Sequence, residues 1–298
     1  MQIFGDTSMG KISLFPPHDD SKVTITFRQV SGLVSFKNRL YKSGEYVSVF
    51  IPRRKILTIA HSVSLAGTTI HSTVPVCVMS GTGYKADEPK CKSVITTVLP
   101  STQLSRSFIV PNVVSAWSLV QLLSIKDKNS AVLDHNGSRE QRILKACEPY
   151  DRHIGLKPMV ITSDHDLVVT VLARPTKPNP FLLWIVGIDQ YRSSYQFYIP
   201  YYTNNFIHEL YVICKTNLKD ELRLNNELIY PTPDSKQEVR VGSEVYEGFR
   251  LSVLCRTTYV MEHKSMGTFG LYIFGYPEYA EEDSRYASYG YPAGMVLH

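Results

Sequence analysis

Hydrophobic and polar residues alternate with a period of two along most of the chain. Val23, Ile25 and Phe27 alternate with threonines, and a second run alternates Tyr46, Ser48 and Phe50 with aliphatic residues. Similar short runs, bounded by Gly, Pro, Asn or Asp, recur at 222–224, 239–241 and 251–253. Successive side chains of a β-strand point to opposite faces, so this alternation predicts half-buried strands joined by tight turns.

Helical periodicity is scarce. Residues 138–147 form the one candidate, a short helix with Ser138 as its N-cap and Gln141 three positions later. Because strand and helix patterns do not alternate, a parallel α/β fold is disfavoured. The sequence therefore predicts an all-β fold, built from two to three repeated antiparallel β-sandwich units that resemble jelly rolls.

A degenerate repeat supports this division. Its unit is a strand, a polar turn and a second strand, and copies start near residues 70, 160 and 259, about ninety residues apart. Proline-rich seams lie near Pro100 and between Pro175 and Pro180. The predicted organisation is an N-terminal flank at 1–22, β-sandwich repeats at 23–100 and 101–178, and a third repeat with a Tyr/Gly-rich end at 179–298.

Composition narrows the class of protein. The chain has 298 residues, 43% of them apolar and 20% charged, which is typical of a globular protein. Its net charge is +5, but basic residues form no stripe beyond Arg53-Arg54-Lys55, so we expect no nucleic-acid partner. No apolar run is long enough for a membrane helix. The start lacks a secretory signal, so the chain is either cytosolic or a region of a longer secreted precursor.

Five cysteines are present, and none forms a Cys-x-x-Cys pair, so a zinc ribbon is excluded. An odd number leaves at least one thiol free or paired with another chain. Two candidate disulfides are Cys214 with Cys255, between strand-like runs, and Cys77 with Cys91, across a short loop. The alternative is that the cysteines are buried, apolar and unpaired.

Catalytic motifs are missing. The sequence contains no Gly-x-Ser-x-Gly elbow, no phosphate-binding glycine loop and no His-Glu-x-x-His. Asp164-His165-Asp166 could converge on a metal only from a turn, and we interpret it as a turn. We therefore expect a binding protein without catalytic residues, metal or cofactor. A hydrolase that uses Asp164 or His165 is the weakest alternative.

Tyrosines crowd the region from Tyr272 to Tyr291. Tyrosine offers a rigid apolar ring and a hydroxyl, which suits a recognition surface. We predict that Tyr276, Tyr279 and Tyr286 contribute to binding, whereas Tyr272 and Tyr289 pack inside.

One glycosylation sequon is present, Asn136-Gly137-Ser138. Asn136 is the candidate acceptor if the chain is secreted. Asn-Gly is also typical of a hairpin turn, so both interpretations stay open here.

Two C-terminal segments carry a family resemblance: Gly-Thr-Phe-Gly-Leu-Tyr-Ile-Phe-Gly-Tyr at 267–276 and Ser-Tyr-Gly-Tyr-Pro-Ala-Gly-Met at 288–295. They resemble the end of the N-terminal domain of the IgGFc-binding protein family, with Phe274 in place of a tyrosine. Softer matches extend the resemblance over roughly residues 20–298. It implies a secreted adhesion or recognition module, part of a longer precursor, that binds a protein or glycoprotein. It does not imply immunoglobulin binding.

Two other functions fit the same residues. A carbohydrate-binding module could stack sugar rings on Trp117, Trp184 or an exposed tyrosine. A structural spacer would only position the neighbouring domains of a larger extracellular protein.

Overall fold

A computed structural model describes residues 8–28, 32–62, 64–84, 94–113, 118–173, 180–200, 206–231, 235–255, 257–278 and 288–295. The chain forms two compact units. Unit 1 contains Met1–Ser101, Leu123–Lys128 and Leu144–Tyr150, and unit 2 contains Thr102–Leu122, Asn129–Ile143 and Asp151–His298. Strands dominate both units. The described helices are short 3-10 turns at Ser101–Gln103, Ile188–Gln190 and Thr216–Glu221.

Unit 1 is built from antiparallel strands in three small sheets, ordered β6-β1-β8-β9, β5-β2-β7 and β3-β4. All three sheets contribute to one hydrophobic core, which includes Leu14, Ile25, Phe27 and Phe36. The strand bounds are β1 Ser8–Phe15, β2 Ser21–Thr26, β3 Val34–Phe36, β4 Arg39–Tyr41, β5 Tyr46–Ile51, β6 Leu57–His61, β7 Thr69–Ser72, β8 Cys77–Tyr84 and β9 Val94–Thr97. The alternation predicted for β2 and β5 is confirmed.

Unit 2 holds most of a seven-stranded sheet, with β13-β12-β15-β11-β14 in order and β10 and β16 also paired to β15. A five-stranded sheet is ordered β21-β22-β18-β24-β25, and a four-stranded sheet β17-β23-β19-β20. The strand bounds are β10 Ser105–Val110, β11 Ser118–Ser124, β12 Asn129–His135, β13 Ser138–Leu144, β14 Pro149–Ile154, β15 Met159–Ala173, β16 Phe181–Trp184, β17 Ser194–Ile199, β18 Phe206–Lys215, β19 Leu222–Leu224, β20 Glu227–Leu228, β21 Gln237–Val241, β22 Glu244–Ser252, β23 Thr257–His263, β24 Phe269–Pro277 and β25 Tyr289–Pro292.

The five-stranded sheet is the middle layer of unit 2. Phe269, Leu271 and Ile273 of β24 pack against the four-stranded sheet in one core cluster. On the opposite face, the Phe274 ring stacks on Phe181 of β16, 6.2 Å between centroids. A strand that is buried on both faces is apolar at nearly every position, which explains the continuous hydrophobic run of β24.

The C-terminal strand β25 packs beside β24 in the five-stranded sheet. β25 pairs antiparallel with β24, so Tyr289 and Tyr291 fold back onto the sheet. Gly270 lets a neighbour approach closely, because an added Cβ would lie 2.6 Å from the ring of Tyr191.

The helix predicted at 138–147 is wrong, since Ser138–Leu144 is strand β13. Asn136 and Gly137 have φ values of 57° and 79°, the two positive values that a type I′ hairpin turn requires. The turn aligns β13 beside β12, and this pairing satisfies backbone groups that a lone short helix would leave open. Local turn chemistry therefore outweighs a weak capping signal.

The turn predicted at Asp164-His165-Asp166 is also wrong. These residues lie within β15, at a point where its register with β10 shifts. The side chain of Asn129 holds this irregularity: its Oδ1 accepts the N–H of His165 and its Nδ2 donates to the His165 carbonyl, both at 3.0 Å. The second copy of the repeat is thus one long strand rather than strand, turn and strand.

The all-β, antiparallel character of the fold is confirmed. The three-repeat boundaries and the jelly-roll connection of each unit stay predictions.

Candidate binding groove

The predicted binding tyrosines do not form a described surface. Tyr276 lies at the end of β24, half-buried, and its hydroxyl donates to Oε2 of Glu209 at 2.9 Å. Burial and the adjacent carboxylate raise the pKa of Tyr276, so the phenol stays protonated. Tyr279 and Tyr286 lie outside the described residues, so their role stays a prediction.

Glu209 belongs to a polar network that ties elements of unit 2 together. The Arg250 guanidinium lies 4.0 Å from the same Glu209 oxygen and donates to the carbonyl of Asn112 at 2.7 Å. The hydroxyl of Tyr276 is therefore part of this internal hydrogen-bond network.

A groove of about 700 Å³ opens elsewhere on unit 2. Its lining residues come from the β12–β13 hairpin, from the β21–β22 hairpin with the chain just before it, and from the connection that enters β15. The lining residues are Asp134, Asn136, Gly137, Arg139, Lys157, Pro158, Val160, Lys236, Gln237, Glu238, Val239, Arg240 and Gly242.

Both hairpins are fixed by tight turns. In the first, Oδ1 of Asp134 accepts the N–H of Gly137 at 3.2 Å, which closes the Asn136-Gly137 turn. In the second, Val241 pairs with Glu244, so Gly242 and Ser243 form a two-residue loop, and Gly242 has the positive φ of 60° that such loops favour. Side chains on hairpins held this way are well positioned for recognition.

The groove carries an excess of positive charge. Four cations line it, and two of them meet carboxylates: Arg139 binds Asp134 at 2.9 Å, and Arg240 lies 3.6 Å from Glu238. Lys157 instead donates to the side-chain oxygen of Asn136 at 2.7 Å. In the described part of the chain, neither Lys157 nor Lys236 has a carboxylate within ion-pair distance. Among the described residues, the groove therefore offers two ammonium groups without a carboxylate partner.

Asn136, the candidate glycan acceptor, stands on the rim of this groove in an exposed turn. The hairpin interpretation of Asn-Gly is confirmed, and glycosylation stays a prediction. The four cations of the groove were not predicted from the sequence. In the sequence, basic residues stand near two turn motifs, Asn136-Gly137 and Gly242-Ser243. The sequence does not show that these turns lie close together, because their proximity depends on the fold.

The described cysteines carry free thiols: Cys77 is exposed, Cys147 and Cys255 are partly exposed, and Cys214 is buried. The predicted Cys214–Cys255 disulfide is thus not formed in the structure, where Cys214 faces the core and Cys255 packs at its margin. Burial raises the pKa of the Cys214 thiol to about 12. Cys91 lies outside the described residues, so its pairing with Cys77 stays a prediction.

Trp184, proposed to stack on sugars, is 4% exposed in β16 and cannot do so. Trp117 is outside the described residues. Among the residues that the structure describes, no cluster of His, Cys, Asp or Glu is placed to hold a metal, and no helix is long and apolar enough to cross a membrane.

Comparison with known proteins decides the family. The sequence profile described as IgGFc binding protein matches residues 5–275, which include strands of both units and every residue of the groove. The chain belongs to the IgGFc binding protein family. The match ends at 275, so the 288–295 segment, which carried part of the resemblance, lies beyond it.

A curated relative in this family is the human IgGFc-binding protein, which is 25% identical over 183 residues. The aligned region covers 59% of this chain and 3% of the human protein, so the chain corresponds to a small part of that relative. No solved structure matches the chain.

Proposed function

We propose that this member of the IgGFc binding protein family is an extracellular recognition module, not an enzyme, and that it binds a protein or glycoprotein partner in the groove of unit 2. The observation that carries the proposal is the convergence of four cationic side chains, against two carboxylates, on a groove between two fixed hairpins. Family membership supports a binding role.

The charges indicate the chemistry of the partner. Lys157 and Lys236 would gain ion pairs with acidic groups, such as carboxylates of a protein or sialic acids of its glycans. Val160 and Val239 would add apolar contact in the same groove. Complementary charge speeds association and selects among partners. We therefore expect an acidic partner and binding that weakens as salt rises.

The test measures binding of the full chain to two immobilised probes. One is an immunoglobulin G Fc fragment, chosen because the human relative is named for it. The other is a sialylated serum glycoprotein, assayed before and after enzymatic desialylation. The proposal predicts saturable, salt-sensitive binding to at least one probe.

The decisive variant is Lys157→Glu/Lys236→Glu, which reverses the charges of both groove lysines. We expect its dissociation constant to rise by about tenfold or more, since like charges across an interface are costly. The matched control is Lys55→Glu/Lys126→Glu, which makes the same change in net charge at exposed positions of unit 1. Equal losses in both variants would show non-specific attraction and contradict the proposal.

The same assay separates the alternatives. A spacer domain would bind neither probe, and this outcome would also reject the proposed function. A carbohydrate-binding module would bind the free glycan as tightly as the whole glycoprotein.

A further inference from the structure

Strand β5 forms an edge of the β5-β2-β7 sheet in unit 1. Within the described residues it pairs with β2 alone, through the register Val23↔Val49 and Ile25↔Val47. Its other edge therefore presents backbone N–H and C=O groups without a strand partner in the described chain. Such an edge is a template for another strand.

A β-bulge identifies which backbone groups face that open edge. Gly44, with φ of 88°, donates its N–H to the carbonyl of Phe27 at 2.8 Å, and the N–H of Phe27 donates to the Glu45 carbonyl at 2.9 Å. This bulge makes Phe27 and Glu45 a hydrogen-bonded position. Hydrogen-bonded positions alternate along an antiparallel ladder, so Val47, Val49 and Ile51 bond to β2. Tyr46, Ser48 and Phe50 then direct their N–H and C=O groups outward.

The side chains along this edge are aromatic and uncharged. Tyr46 is 66% exposed and Phe50 is 64% exposed, and they share one face with Ser48. Natural edge strands usually carry lysine, proline or another charge that prevents pairing. The six residues of β5, Tyr-Val-Ser-Val-Phe-Ile, have no such residue.

The sequence of β5 is nearly palindromic about Ser48. Valines stand one residue away on each side, and aromatic residues two away. We propose that β5 pairs with β5 of a second copy of this chain, antiparallel, with Ser48 on the two-fold axis. Tyr46 then faces Phe50 of the second copy, Val47 faces its Val49, and Ser48 faces Ser48. This register uses the outward backbone groups of all three exposed residues.

Charge complementarity favours the same register. Glu45 immediately precedes β5, and Arg53 follows it by two residues; both are exposed. With Ser48 on the axis, Glu45 and the turn that contains Arg53 of the second copy lie at the same end of the paired strands. Glutamate and arginine side chains are long enough to meet across that end. The two-fold axis repeats the contact, as a closed symmetric interface requires.

Pairing of a single strand buries less surface than the roughly 1,000 Å² of a stable interface, so the dimer is weak. Association would be visible at high protein concentration or when neighbouring copies are held together.

A cysteine placed on the axis tests the register. Hydrogen-bonded antiparallel partners have Cα atoms about 5.5 Å apart, within the range of a disulfide. We therefore expect Ser48→Cys, in a Cys77→Ser background that removes the exposed thiol of Cys77, to form a covalent dimer under mild oxidation. The control is Thr69→Cys in the same background, exposed on β7 at the opposite edge of the sheet.

The proposal predicts that Ser48→Cys crosslinks at least about tenfold faster than Thr69→Cys, because pairing raises the effective concentration of the two thiols. Equal rates in the two variants would overturn it.

Charge reversal gives an independent test in the wild-type background. Sedimentation velocity should show weaker association for Glu45→Arg and for Arg53→Glu, and association restored in the double variant. Because Oε2 of Glu45 also accepts the N–H of Lys42, thermal melting of each variant checks the fold. Failure of the double variant to recover, with folding intact, would contradict the Glu45–Arg53 contact and the register that requires it.

Discussion

Two aromatic-rich strands, β24 and β5, differ in how far their aromatic side chains are exposed to solvent. On β24, Tyr272 and Phe274 are fully buried between two sheets. On β5, Tyr46 and Phe50 stand in solvent on the outer face of an edge strand. The two strands have similar β-favouring composition, so composition does not decide the outcome. The number of layers that cover the strand decides it.

The contrast between β24 and β5 shows that a segment rich in aromatic residues is not always a binding surface. A tyrosine-rich segment suggests a binding surface, yet in unit 2 the described tyrosines of β24 and β25 are buried or half-buried and build the interior. The exposed aromatics of β5 and the cationic groove lie elsewhere in the sequence. Aromatic density marks a recognition surface only where no further sheet covers it.

The largest expected effect contrasts the two strands directly. Tyr272→Ala or Phe274→Ala should reduce the free energy of unfolding by about 3–5 kcal/mol, because each leaves a cavity in a closed interior. Phe50→Ala should change it by no more than about 0.5 kcal/mol, as is usual for exposed positions. Urea denaturation measures both. Equal losses would mean that the covering layers do not distinguish these strands.

Alkaline pH should weaken unit 2, and the part of this loss that belongs to Tyr195 alone should be somewhat smaller than the loss from a cavity. Burial raises the pKa values of Tyr191, Tyr211 and Tyr272 above their ordinary value, and raises that of Tyr195 to about 12. Because the folded state holds these phenols protonated, their contribution is complete below about pH 10 and is lost as pH rises through the folded-state pKa. For Tyr195 the loss amounts to about 3 kcal/mol.

The control for that experiment is Tyr195→Phe. It removes the hydroxyl that donates to the Phe269 carbonyl at 2.6 Å, so it lowers stability at neutral pH. It should also flatten the decline between about pH 10 and pH 12, the interval between the unfolded and folded pKa values. A decline as steep as in the wild type would show that Tyr195 does not titrate in this way.

The smallest effect is one of chemical reactivity and leaves the fold intact. Cys77 is exposed in unit 1, whereas Cys214 is 0% exposed beneath the four-stranded sheet of unit 2. Iodoacetamide should therefore modify Cys77 in the native protein and Cys214 only after unfolding, because thiolate and access are both needed. Peptide mass mapping measures the extent of modification at Cys77 and at Cys214. Native modification of Cys214 would contradict the closed core.

The sequence predicted local structure well where one period or one turn motif dominated. The alternation around Val23 and Ile25 is confirmed, and so is the prediction that Tyr272 packs inside. The Asn225-Asn226 pair likewise forms a tight turn between β19 and β20, with both φ values positive. The prediction at 138–147 failed because a capping signal competed with an Asn-Gly turn.

Other features depended on contacts between distant residues. Asn129 and His165 are 36 residues apart, and their paired hydrogen bonds turn an expected loop into strand. The groove joins Lys157 to Lys236 across the fold. The local sequence around either lysine does not predict that the two line the same groove, because this depends on how β15, β21 and β12 are arranged.

Hydrogen exchange of the full chain, with and without the bound probe, tests the central claim most directly. If recognition occurs in the groove, backbone amides at 134–140 and 236–243 exchange more slowly in the complex, while those of β5 and β25 keep their free rates. Protection confined to β25, or to the chain beyond Glu278, would restore the tyrosine-rich segment as the recognition surface and contradict the account.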